Sequence, residues 1–173
     1  MCGLLKLYSC QIYDNGTLIR DYIPCQTTSG EVGLWDDVNS VFYGNAGTGT
    51  FTAGPAVAIA AAASEITELE YIQSSGTQWI DTGFKPNQDT RVVMNCYVIS
   101  FNSCDMFIFG ARVSAGNTAF YVAADDTNTK WFISYGSDVQ NPVGTCTGHH
   151  SIDMNKNSVS IDGAITTLSA STF

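Results

Sequence analysis

The chain has 173 residues, 45% of them apolar and 13% charged, and 7 basic against 16 acidic side chains give a formal net charge of −9. So much apolar character with so few charges excludes intrinsic disorder, and the basic residues are too scattered to neutralise a run of phosphates, which argues against nucleic acid and anionic membrane as partners. No apolar run approaches the roughly 20 residues that span a bilayer, and no basic stretch followed by an apolar core opens the chain, so a soluble protein without an export signal of its own is expected. Helical periodicity is almost absent. Short alternating runs bounded by Gly, Asn, Asp and Ser recur instead, which predicts an all-β fold.

In chain order, Leu4 to Tyr13 reads as a strand, Asp14-Asn15-Gly16 as a tight turn with positive φ, and Thr17 to Ile23 as the returning strand of a hairpin. Further strands are expected at Val32 to Trp35, Val41 to Tyr43, Leu69 to Ile72, Gln78 to Asp81 and Thr90 to Ile99. Met106 to Ala111, Thr118 to Ala123, Lys130 to Tyr135, His149 to Met154 and a hairpin from Ser158 to Leu168 turning at Asp162-Gly163 complete the set. In Arg91 to Val98 the residues Val92, Met94, Cys96 and Val98 share one face, as in a half-buried strand of a sandwich.

One stretch breaks the pattern. Residues 55–64, Pro-Ala-Val-Ala-Ile-Ala-Ala-Ala-Ala-Ser, read as an Ala-rich linker with about two helical turns, marginal without tertiary contacts. It divides the chain into residues 1–54 and 65–173, and the first part is too small to be stable alone. Both parts are therefore expected to feed a shared pair of sheets.

The six cysteines, Cys2, Cys10, Cys25, Cys96, Cys104 and Cys146, are spread along the chain, and none forms a C-x-x-C or stands at zinc-ligand spacing. Cys10 and Cys96 fall in alternating segments, where a free thiol fills space as a small hydrophobe.

Specific residues then carry a resemblance. The run from Lys6 through Asp14-Asn15-Gly16 to Cys25, with Gly33-Leu-Trp-Asp36, Val41-Phe-Tyr43 and Asn45-Ala-Gly-Thr-Gly-Thr-Phe51, resembles the closing part of concanavalin-A-like, laminin-G-like jelly rolls of bacteriophage virion proteins and gut-bacterial surface proteins. The run from Leu69-Glu-Tyr-Ile72 to Trp79-Ile-Asp-Thr-Gly83 resembles the family's opening, and Phe107 to Arg112 and Val159 to Gly163 resemble its middle strands. Closing precedes opening here, so the resemblance implies a circularly permuted jelly-roll sandwich. Residues 1–54 would be the closing strands, 55–64 the joint between old termini, and 65–173 the opening and middle strands. The family would place one further apolar strand between Phe173 and Met1, so an unpaired edge is expected beside Leu4 to Tyr13 or Ala164 to Leu168.

Folds of this kind include glycosidases working with two carboxylates. The glutamates Glu31, Glu65, Glu68 and Glu70 form no such pair on one strand, and Asp36-Asp37 and Asp125-Asp126 read as solvated loop residues. Asp125, Asp126, Thr127 and Asn128 offer the hard oxygens that calcium needs, but such a turn is also ordinary β-connection chemistry, so no cofactor is expected. Tyr121 and Trp131 flank that turn on consecutive strands, so Tyr121, Asp125, Asn128 and Trp131 are the candidate ligand face, against a plain packing role for the aromatics. Trp35 and Trp79 sit in recurrent family motifs and are expected to pack.

The function expected from this resemblance is a non-enzymatic virion or surface structural protein, forming a homo-oligomer or joining other virion proteins, with an adhesive face toward the host or a cell-surface glycan. A glycan-binding module of a bacterial adhesin is the alternative, and a glycoside hydrolase is the least favoured reading. The location implied is the virion or an extracellular surface. Fold alone does not choose among these.

Overall fold

The computed structural model describes residues 3–57, 65–100, 106–112, 118–125, 129–136 and 141–169. In chain order its strands are β1 (Leu4–Asp14), β2 (Thr17–Thr27), β3 (Val32–Asp36), β4 (Val41–Tyr43) and β5 (Thr52–Ala53). After the Ala-rich stretch come β6 (Ile66–Glu68), β7 (Ile72–Ser74), β8 (Thr90–Ser100), β9 (Met106–Arg112) and β10 (Ala119–Ala124). The last are β11 (Lys130–Tyr135), β12 (Asn141–Thr145), β13 (Gly148–Asn155), β14 (Ser158–Ile161) and β15 (Ala164–Thr167).

These strands form two sheets in a sandwich-like arrangement. The larger has eleven strands with the main order β15-β14-β13-β8-β1-β2-β3-β4, and β6, β7 and β5 attached to it; the smaller has four, β12-β11-β10-β9. Their inner faces meet in one apolar core that joins Ile12, Val92, Met94 and Ile152 of the large sheet to Phe120 and Trp131 of the small one. Every other residue of β8 from Thr90 to Val98 is buried, as the alternation predicts.

Two hairpins turn where the sequence places them. Asp14 pairs with Thr17 and Ile161 with Ala164, and the turn residues Asn15 (φ 46°), Gly16 (φ 79°), Asp162 (φ 52°) and Gly163 (φ 85°) all take the left-handed region that two-residue hairpin turns require. In β1 the buried residues switch from odd positions (Leu5) to even ones (Cys10, Ile12), because the pairing with β8 slips between Leu7 and Ser9. A bulge of this kind moves one extra residue into the strand and inverts which side chains face the core.

Several expectations need correction. β1 is an interior strand, hydrogen-bonded to β8 along most of its length and to β2 and β7 on its other side, so no free edge lies beside Leu4 to Tyr13. The strand-bearing parts of residues 1–54 all enter the large sheet; the small one is drawn wholly from residues 106–145. Residues 78–81 form no ladder, whereas the short strands β5, β6 and β12 were not foreseen. Within the expected linker, Ala56 bridges Leu69 and the Val57 amide donates to the Glu68 carbonyl; residues 58–64 lie outside the described residues. Cys10, Cys25, Cys96 and Cys146 are buried and free. Burial pushes the Cys10 and Cys96 thiols up to about 12, which makes them inert as nucleophiles.

Candidate functional site

Tyr121 and Trp131 do not share a platform. Tyr121 pairs with Ser134 and Ala124 with Trp131 across the β10–β11 ladder, and because side chains alternate between faces along a strand, Trp131 and Tyr121 project from opposite sides of the small sheet. Trp131 is fully enclosed between the sheets, its ring edge-on to His150 at 5.3 Å. Tyr121 is buried on the other face with Ala119, Ala123 and Phe132, its ring 5.2 Å from Phe107. Asp125 is also buried; its amide donates to the Lys130 carbonyl at 2.9 Å and its carbonyl faces the Cys146 thiol. Asn128 lies outside the described residues, as do Asp126 and Thr127. Among the described residues, no group of three His, Cys, Asp or Glu side chains could hold a metal ion.

Asp36, expected as a solvated loop residue, is wholly buried at the end of β3. Its Oδ1 accepts from the Asp21 and Val38 amides, each at 3.2 Å, and its Oδ2 accepts from Asn39 Nδ2 at 2.8 Å and lies 3.3 Å from Arg20 Nε. A carboxylate held by this many donors pins β2 to β3; it is structural. Asp37 next to it is exposed, as expected.

A cleft lies elsewhere in the fold. Among the described residues the small sheet ends at β9 while the large sheet continues through β2, β3 and β4, and a cleft of about 560 Å³ lies beside β9. Its floor is built by Leu5, Leu7 and Cys10 of β1, Tyr22 of β2, Leu34 of β3 and Met94 of β8. β9 forms one wall with residues from both of its faces, Phe107 and Ile108 among them, as a strand with one free edge does. The opposite wall is the segment 78–86, in which Gln78, Ile80, Thr82, Phe84 and Pro86 are half-buried and the intervening residues exposed. Its alternation is that of a strand, although it pairs with none.

Gly47 shows how that wall is fixed. A Cβ there would come within 2.3 Å of the Thr77 carbonyl oxygen and 2.6 Å of the Trp79 ring, so only glycine allows the approach. The neighbouring amides of Ala46 and Thr48 then donate to the Trp79 and Thr77 carbonyls at 2.8 and 3.1 Å, while Asn45 Oδ1 accepts from the Trp79 amide. Trp79 itself, expected to pack, is 55% exposed at the rim. The wall and loop belong to the Asn45 to Phe51 and Leu69 to Gly83 runs quoted above, but their juxtaposition depends on contacts some thirty residues apart in sequence.

Tyr22 is the polar group of the floor. It is 1% exposed, its ring stands edge-on to Tyr43 at 5.8 Å, and its hydroxyl, beside the Thr82 side chain, completes no hydrogen bond of good geometry. Burial pushes its pKa up to about 12, so the phenol keeps its proton at neutral pH. Among the described residues that line the cleft, none is Asp, Glu, Lys, Arg or His. The described lining offers apolar surface and one phenol, the kind of surface that holds an apolar ligand. Comparison of the chain with protein families, with curated proteins and with solved structures returns no match.

Proposed function

We propose that the protein is a non-enzymatic structural component of a phage virion or cell surface. It would be a concanavalin-A-like, laminin-G-like jelly roll in circularly permuted order, with residues 1–54 closing what residues 65–173 open, and it would assemble with further copies of itself or with other virion proteins. The observation that carries this reading is the last strand of the large sheet. Among the described residues β15 pairs with β14 alone, and Ile165 on it is 78% exposed, the most exposed large apolar side chain among them. Unpaired backbone groups beside an exposed apolar side chain are what a second polypeptide covers when a sheet extends across an interface. With a net charge of −9, nonspecific association is discouraged, so assembly through that edge would be specific. Sedimentation at micromolar concentration tests it: the protein should exceed 18.6 kDa, and Ile165→Lys should return it to that mass. An 18.6 kDa species for the unaltered chain at all concentrations would refute self-assembly.

The adhesin reading draws support from Trp79, whose exposed ring at the cleft rim offers a stacking surface for a sugar. A glycan array on which binding appears and is lost in Trp79→Ala would favour it over the structural role. Turnover of a polysaccharide, abolished by replacing one acidic residue, would overturn the non-enzymatic part of the proposal.

A further inference from the structure

The cleft between β9 and residues 78–86 goes beyond an assembly role. We propose that it is a binding site for a neutral, mainly hydrocarbon small molecule carrying one hydrogen-bond-accepting oxygen, which the Tyr22 hydroxyl receives. At about 560 Å³ it falls within the span of small-molecule sites, roughly 300–1,000 Å³, and is far larger than the voids of a packed interior, few of which exceed a water molecule.

Three observations define the ligand. The floor and walls are aliphatic and aromatic, from Leu7 and Leu34 to Phe84 and Ile108, so the body of the ligand gains by leaving water. Among the described residues no charged side chain lines the cleft, so an ionised head, whether carboxylate, phosphate or ammonium, would meet no counter-charge from them. The polar groups on the wall at Ser74 and Gln78 are already engaged: Gln78 Oε1 accepts from the Ser74 hydroxyl at 3.1 Å and from the Ser75 amide at 2.8 Å, and Gln78 Nε2 donates to the Ser75 hydroxyl at 3.0 Å. The Tyr22 hydroxyl is different. It is buried beside the Thr82 side chain, which also lines the cleft, and lacks a partner of good geometry, so a ligand carbonyl, ether or hydroxyl oxygen that displaces Thr82 would relieve an unsatisfied donor. A polyhydroxylated sugar fits poorly, because most of its hydroxyls would face hydrocarbon.

Nile red, a neutral dye with a carbonyl acceptor, is the probe. It should bind the full chain saturably at one site with blue-shifted emission. Tyr22→Phe keeps the ring and should weaken binding about fivefold, the effect of one lost hydrogen bond, without lowering the melting temperature. Leu7→Trp fills the cleft from its floor and should abolish binding, whereas Ile165→Ser, on the far edge of the large sheet, should leave it unchanged. Absence of saturable binding, equal affinity in Tyr22→Phe, or binding lost in Ile165→Ser and kept in Leu7→Trp would each overturn the assignment. Sedimentation with and without dye separates this site from assembly: an unchanged mass on saturation supports the small-molecule site, and a dimer that excludes the dye would make a second copy the occupant. Loss of self-association in Ile165→Lys with dye binding intact leaves the two proposals standing independently.

Discussion

The two ends of the sandwich are made of the same kinds of residue and differ in how they are closed. Toward β8 and β13, the small sheet lies over the large one: Trp131 meets His150, and Phe120 packs at 5.2 Å on Tyr135, whose hydroxyl donates to the Thr90 carbonyl at 2.7 Å and the Gln88 carbonyl at 3.1 Å. Toward β2 and β3, the small sheet has ended, and Leu7, Tyr22 and Leu34 line a cleft. The closed end is held by interdigitated side chains. The open end is held by polar fastenings at its margin, the Asp36 cluster and the Asn45 to Thr48 loop. An apolar face is therefore not proof of a filled core; what decides is whether a second layer reaches it.

The strongest way to break this contrast is at Trp131. Trp131→Ala should cost about 4 kcal/mol, since a fully enclosed ring leaves a cavity that two sheets cannot easily collapse; the midpoint of equilibrium urea unfolding measures it. Asp36→Ala should follow at about 3 kcal/mol, because it strands the Arg20 charge and buried donors at the open end. Its effect should appear as faster hydrogen exchange in β2 and β3 ahead of β8 and β13. Leu34→Ala, at a buried side chain beside the cleft, should cost about 2 kcal/mol, at the low end for a buried leucine, because the space it leaves opens onto the cleft rather than forming a sealed cavity. A loss equal to that of Trp131→Ala would show that the cleft is closed in solution.

The smallest effect is one of pH, at the Asp162-Gly163 turn. Burial acts to raise the Asp162 pKa, but the Ser151 amide at 2.8 Å and the His150 ring at 2.8 Å outweigh it and hold the carboxyl below its ordinary value. A lowered folded value means that its contribution to stability is present above the unfolded carboxylate pKa and is lost as pH falls through the folded one. Unfolding free energy measured from neutral to acid pH should thus fall less in Asp162→Asn than in the unaltered chain, and an identical slope would show that the half-exposed carboxylate is screened by solvent.

Much of the strand content and both tight hairpins were legible in the sequence, because alternation and the Asn-Gly and Asp-Gly turn chemistry act within a few residues. The placement of Tyr121 and Trp131 turns on the same alternation. Proximity of Tyr121 and Trp131 along the chain suggested one surface, whereas strict alternation through the β10–β11 register sends them to opposite faces. The cleft wall left a trace, the expected strand Gln78 to Asp81, whose alternation runs on to Pro86 without a ladder among the described residues.

By itself, then, the sequence determined the all-β character, the turns, the buried face of β8 and the thiols that fill its interior, since each depends on local periodicity or on a side chain's own preference for water or hydrocarbon. Only the tertiary structure decided that β1 is central, that Asp36 is buried, and that the small sheet ends at β9 with Tyr22 beneath an open cleft. Those facts depend on which strands, distant along the chain, become neighbours and on how far one layer extends over the other. Residue-level patterning marks a face as apolar without saying what covers it.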